Sequence, residues 1–168
     1  MKVLLMGGYF ASGKTTILTA LANAMLKQGK RICLIGNKEE TYGIDGGMEY
    51  SPLQGSCVCC QAIGSLIEAL KQIEQKQAPD WVLIELSGIR FQDSVRDAIT
   101  DYVSSTIPVF SLTVVDAVRW KKLMKAAEPV MTRQVLGADI VIINKTGPDS
   151  DTSGIKKQIA SIQESTVS

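Results

Sequence analysis

Residues 8–15 read GYFASGKT, and the fold turns on this stretch. It fits the pattern G-x-x-x-x-G-K-[S/T] without a mismatch. The apolar run KVLLMG (2–7) precedes it, and TTILTALANAMLKQG (15–29) follows, with apolar residues at helical spacing and Gly29 as a stop. A buried strand, a glycine-rich turn and a helix in that order are the context that gives the pattern its meaning. Glycines let the backbone wrap closely around phosphate oxygens, whose charge the loop N–H groups and the positive end of the helix then share. Lys14 is expected at the β- and γ-phosphates and the Thr15 hydroxyl at Mg²⁺. Gly8, Ala11, Ser12, Gly13 and Thr16 complete the candidate nucleotide contacts in the loop. The plain alternative is a glycine-lysine turn that only caps a helix, and the strand-loop-helix order disfavours it.

Outward from the loop, strand-like and helix-like segments alternate. RICLIG (31–36), WVLIEL (81–86), VFSLTVVDA (109–117) and ADIVIIN (138–144) are apolar enough to be strands buried on both faces. AIGSLIEALKQIEQK (62–76), DSVRDAITDYV (93–103), VRWKKLMKAA (118–127), residues 128–136 with Pro129 in a first turn, and SGIKKQIASIQES (153–165) read as helices. The polar, glycine-rich stretch 37–55 reads as a loop, within a mobile, switch-like segment of about 37–60. The expectation is one domain over 1–168: an α/β P-loop nucleoside triphosphatase fold with a mainly parallel sheet between two helical layers.

Bulk properties exclude several classes. A chain of 168 residues, 45% hydrophobic and 21% charged, is one globular domain. A formal net charge of +1 and 5% aromatic residues argue against a nucleic-acid partner or an anionic membrane surface. No segment reaches the ~20 apolar residues of a membrane span. The N-terminal apolar run ends in glycines and lysine without a cleavage pattern, so the expected location is the cytoplasm, where thiols stay reduced.

The second candidate site closes an apolar strand. Glu85 in WVLIELSG stands where an acid beside the phosphate loop would hold Mg²⁺ or a water; the alternative is a plain surface carboxylate. Gly88 would let the next loop approach the γ-phosphate. Asp116 also ends an apolar strand, with a structural or capping role equally open.

Three of the four cysteines crowd into GSCVCCQA (55–62). Thiolates at i and i+2, Cys57 and Cys59, can turn to one centre, and Cys60 can close around it. Such a set suits Zn²⁺ or another thiophilic metal such as Cu(I). Redox switching and simple packing stay open beside metal binding. Cys33, inside a strand, reads as a packed apolar residue.

Taken together, these motifs resemble the CobW, HypB and UreG group of P-loop GTPases, which deliver or insert metals. GGYFASGKTT resembles that group's phosphate loop, with Ala11 where a further glycine is common. NKEETYGIDGG resembles its switch segment, which implies Asp45 as a carboxylate contacting Mg²⁺ or the attacking water. CVCC is similar to the C-x-C-C of CobW-like members and ELSG to their E-x-x-G. TVVDA and RQVLGADIVIINKTG resemble the fourth strand and base-recognition region, which implies Asn144 and Lys145 as nucleotide contacts. The sequence departs from the group's N-K-x-D, having Gly147 in place of the aspartate, with Asp149 and Asp151 just beyond. Ser56 also separates the glycine from C-x-C-C, histidine is absent altogether, and the chain reads as a nucleotide-binding core without the C-terminal domain of full CobW-like proteins.

The resemblance implies a Mg²⁺-dependent hydrolase of GTP, or ATP, with Lys14 and Mg²⁺ supplying charge and Asp45 or Glu85 orienting water. It further implies a metallochaperone or metal-centre assembly factor serving a client metalloenzyme or metal-acceptor protein, and a nucleotide-dependent homodimer. A nucleotide-responsive redox or binding module with little hydrolysis is one alternative. A small-molecule P-loop kinase is the other, although its arginines (Arg31, Arg90, Arg96, Arg119 and Arg133) are scattered.

Overall fold

The computed structural model describes residues 1–36, 49–52, 61–76, 79–148 and 150–165. Its strands are β1 (Lys2–Gly7), β2 (Ile32–Gly36), β3 (Glu49–Pro52), β4 (Trp81–Glu85), β5 (Val109–Asp116) and β6 (Ile140–Asn144). Its helices are α1 (Lys14–Lys27), α2 (Gln61–Lys76), α3 (Gln92–Tyr102), α4 (Trp120–Ala126), α5 (Glu128–Leu136) and α6 (Thr152–Glu164). Every strand pairing is parallel, in the order β3-β2-β4-β1-β5-β6.

Alternation along β1 explains the layers. Val3 and Leu5 face one side, where Leu66, Ile67, Leu70 and Ile73 of α2 and Val95 and Ile99 of α3 cover them. Leu4 and Met6 face the other, against Leu18 and Ala22 of α1. A third cluster packs Trp120, Met131, Val135, Ile155 and Ile159 from α4, α5 and α6 against Val115. The architecture is the three-layer α/β/α sandwich expected from strands apolar on both faces. Cys33 is buried in the first cluster, as its place in a strand implied.

The sequence reading differs at one element. Residues 49–52, inside the stretch expected to be a loop, form the edge strand β3 against β2. Four residues, EYSP, carry no apolar run to betray a strand, and proline is tolerated only at such an edge.

In a parallel sheet every strand ends on the same side, and ligands of open α/β sheets bind beyond those carboxyl ends. Here the register sets Met6 beside Glu85, Gly7 beside Thr113 and Asp116 beside Asn144. Residues dispersed through the chain therefore share one rim.

Candidate functional site

The loop between β1 and α1 builds the centre of that rim. Gly13 has φ 100° and a Cβ there would overlap Nδ2 of Asn144, so only glycine fits. Asn144 uses the resulting space to donate from Nδ2 to the Ser12 carbonyl at 2.9 Å. Lys14, at the start of α1, is buried and its Nζ donates to the Tyr9 carbonyl at 3.3 Å, which folds the chain into a cradle. Next to it, Thr15 Oγ1 donates to Glu85 Oε1 at 2.8 Å, across 70 residues of sequence. Two of the three expected Mg²⁺ ligands thus meet beside Lys14.

Gly88 closes the cradle from the side. A Cβ on it would lie 2.6 Å from the Phe10 amide nitrogen, so the loop after β4 approaches the phosphate loop more closely than any side chain permits.

A clamp that sequence reading left undecided holds the loop from β5 and β6. Asp116 is buried, and its carboxylate accepts from Arg119 Nε at 2.7 Å and from Lys145 Nζ at 2.8 Å. Arg119 continues to the Phe10 carbonyl at 2.6 Å and Lys145 to the Ala11 carbonyl at 2.5 Å. One carboxylate thereby sets two cations on successive carbonyls of the phosphate loop. The second lies on Ala11, whose φ of 54° is the left-handed conformation that favours glycine. Burial pushes the Asp116 carboxyl up, but the hydrogen bonds from Lys145 and Arg119 outweigh it and hold the group below its ordinary 3.8.

Arg119 is a site residue that sequence reading missed. Its signal was present as the i, i+3 spacing from Asp116, whose Oδ1 also accepts the Arg119 amide at 3.1 Å. At the far end of the rim, Asn144 and Lys145 both turn to the phosphate loop. Gly147 follows, its amide donating to Ser150 Oγ at 2.8 Å. Asp151 does not replace the missing aspartate: it caps α6, accepting from the Gly154 amide at 2.9 Å. Asp45, Asp149, Cys57, Cys59 and Cys60 lie outside the described residues, and among the described residues no His/Cys/Asp/Glu cluster of metal-binding type occurs.

The chemistry of the loop fits a polyphosphate with Mg²⁺. Ser12 Oγ is buried without a partner among the described residues, as expected of a hydroxyl awaiting a ligand oxygen. Lys14, the α1 N-terminus and the Thr15–Glu85 pair supply cation, amide dipole and hard oxygens at one end of the phosphate loop.

Fold and rim together define a P-loop nucleotide-binding domain. Residues 2–167 match the family CobW/HypB/UreG, nucleotide-binding domain, and the chain belongs to that family. It is 27% identical over 186 residues to the zinc chaperone CobW of Sinorhizobium sp, covering 89% of this chain and 51% of that protein. It is 26% identical over 160 residues to the zinc-regulated GTPase metalloprotein activator 1 of Schizosaccharomyces pombe, covering 86% and 38%. Among solved structures it resembles Zn(II)-bound YjiA GTPase from E. coli, with a TM-score of 0.68 and 20% identity over 95% of this chain and 54% of that one. The chain thus spans about half the length, or less, of these curated relatives. No helix among the described residues is long and apolar enough to cross a membrane.

Proposed function

We propose that this domain is a Mg²⁺-dependent nucleoside triphosphatase, GTP its expected substrate, that couples nucleotide state to handling of a thiophilic metal for a client protein. The observation that carries the nucleotide half is the 2.8 Å contact of Thr15 Oγ1 with Glu85 Oε1 beside the buried Lys14. Thr15 and Glu85 would hold Mg²⁺, which would supply charge neutralisation for the phosphates. Lys14 and the amides of residues 11–16 bind the phosphates, and Gly88 admits its loop to the terminal phosphate. Glu85 and Asp45 are the candidates to orient water, and Asn144 and Lys145 support the base end. Family membership supports the metal half, with zinc as the expected cargo on Cys57, Cys59 and Cys60. A homodimer formed on nucleotide and a cytoplasmic site of action belong to the same reading.

Phosphate release from GTP by the reduced protein, with Mg²⁺ and with or without Zn²⁺, tests it. The reading expects Mg²⁺-dependent release that Zn²⁺ alters in the wild type but not in a Cys57→Ser/Cys59→Ser/Cys60→Ser variant. Absence of release removes the hydrolase; release indifferent to Zn²⁺ and to the cysteines removes the metal coupling.

A further inference from the structure

The loop after β4 is tied to the core by two glutamines that the nucleotide chemistry above does not use. Gln92 opens α3, Gln134 lies in the last turns of α5, and both are fully buried. Gln92 Nε2 donates to Thr113 Oγ1, and that hydroxyl donates to the Gln134 carbonyl at 2.8 Å. Gln134 Nε2 in turn donates to the Gly88 carbonyl at 2.9 Å, across 46 residues. Thr113 pairs with Gly7 at the root of the phosphate loop, so the chain of bonds runs from that root to the loop facing it.

This network is expensive as structure. Gln92 Oε1 and Gln134 Oε1 are both buried without a partner among the described residues, and an unsatisfied buried acceptor costs stability. A methionine of similar length would fill the Gln134 site without the orphaned Oε1, but it would leave the Gly88 carbonyl without its donor. What methionine cannot do is hold the Gly88 peptide. Peptide planarity means that a carbonyl fixed toward Gln134 aims the following N–H, that of Ile89, the opposite way. Gly88, lacking a side chain, has no rotamer of its own to hold this orientation, and it stands against the Phe10 amide.

We propose that Gln134 is a positioning residue for the terminal phosphate: it fixes the Gly88–Ile89 peptide against the phosphate loop, so its loss impairs triphosphate binding and turnover but not diphosphate binding. The inference rests on the nucleoside triphosphatase reading and adds to it a residue on α5, 46 residues from the glycine whose carbonyl it holds.

The test compares wild type, Gln134→Met and Gln158→Met. Gln158 accepts a hydrogen bond from Trp120 Nε1 at 2.5 Å and makes no contact with Gly88, so it controls for loss of a structural bond. Affinities for GDP and for a non-hydrolysable GTP analogue with Mg²⁺, kcat and KM, and Tm are measured for each. Expected for Gln134→Met are GDP affinity within about twofold of wild type, analogue affinity and kcat lower by about tenfold, and a Tm lowered no further than in Gln158→Met, which also loses one hydrogen bond. Gln158→Met should keep the wild-type ratio of the two affinities. A wild-type ratio in Gln134→Met overturns the inference, as does a parallel fall of both affinities with Tm. Should the wild type bind neither nucleotide, the triphosphatase reading fails separately. Amide exchange at residues 88–90 then decides: acceleration by about tenfold in Gln134→Met supports the tie, and unchanged exchange overturns it.

Discussion

The two ends of the rim are built on different physics. At the proposed phosphate end, Gly8–Thr15 offers backbone amides, one buried lysine and a helix terminus, while Arg119, Lys145 and Asn144 donate to its carbonyls and Asp116 holds the first two. At the proposed base end, Asn144 and Lys145 donate to that same loop, Gly147 brings no side chain, and Asp151 caps α6. Phosphate recognition needs only main chain and point charge, whereas base recognition needs a particular side chain at a particular place. Among the described residues the first end therefore shows its lysine, hydroxyl and acid together, and the second shows no side chain turned to a base.

Breaking the phosphate end should have the largest effect. Lys14→Ala removes the buried cation and should lower affinity for GDP and for a GTP analogue by about 100-fold or more in calorimetry, with the fold intact by circular dichroism. Glu85→Gln should abolish the gain in affinity that Mg²⁺ confers on the analogue, a loss of about tenfold or more, while leaving Mg²⁺-free GDP binding close to wild type.

Asp116→Asn tests the clamp. It should weaken nucleotide binding by about tenfold, since Arg119 and Lys145 lose the carboxylate that aims them at Phe10 and Ala11. Its pH signature follows from the lowered carboxyl. The folded group titrates below the unfolded one, so its stabilisation is fully present above about pH 4 and is lost as pH falls through the folded value. Denaturation of wild type and variant should differ by a constant amount from about pH 5 to 8, and the difference should shrink in stronger acid.

The base end is sharpened rather than broken. Gly147 has no left-handed φ, and a Cβ there would meet only Ser150 Oγ at 3.9 Å, so a side chain fits. Gly147→Asp should raise the ratio of GDP to ADP affinity by about tenfold, because a carboxylate accepts from the guanine N1–H and exocyclic amino group and meets no such donor pair in adenine. An unchanged ratio would mean that the base lies elsewhere. The smallest effect is expected for Ala11→Gly, which relieves the left-handed strain at φ 54° but loosens the unfolded chain. Thermal denaturation should show a net change below about 1 kcal/mol.

Local rules explain what could be read in advance. The phosphate loop is a contiguous signal, and five of the six strands are apolar runs that punctuation residues bound within a residue or two. Glu85 was legible because an acid closing an apolar run stands out. Strand β3 was not, since its pairing with β2 arises from the edge it meets and not from its own composition. Asp116 stood out as a residue without disclosing its role. Arg119 reaches a carbonyl 109 residues earlier in the chain, and Gln134 one 46 residues earlier, and no spacing rule spans such distances.

The sequence by itself determined the class of the sheet and singled out the glycine-rich loop with its lysine and threonine and the strand-end acid, because each depends on neighbours within a turn or a strand. Tertiary structure alone decided that Asp116 aims two cations at the loop, that Asp151 serves a helix end, and that Gln134 holds Gly88. Those assignments follow from the parallel register, which brings the carboxyl ends of β4, β1, β5 and β6 to one rim and makes contacts between residues that the chain keeps far apart.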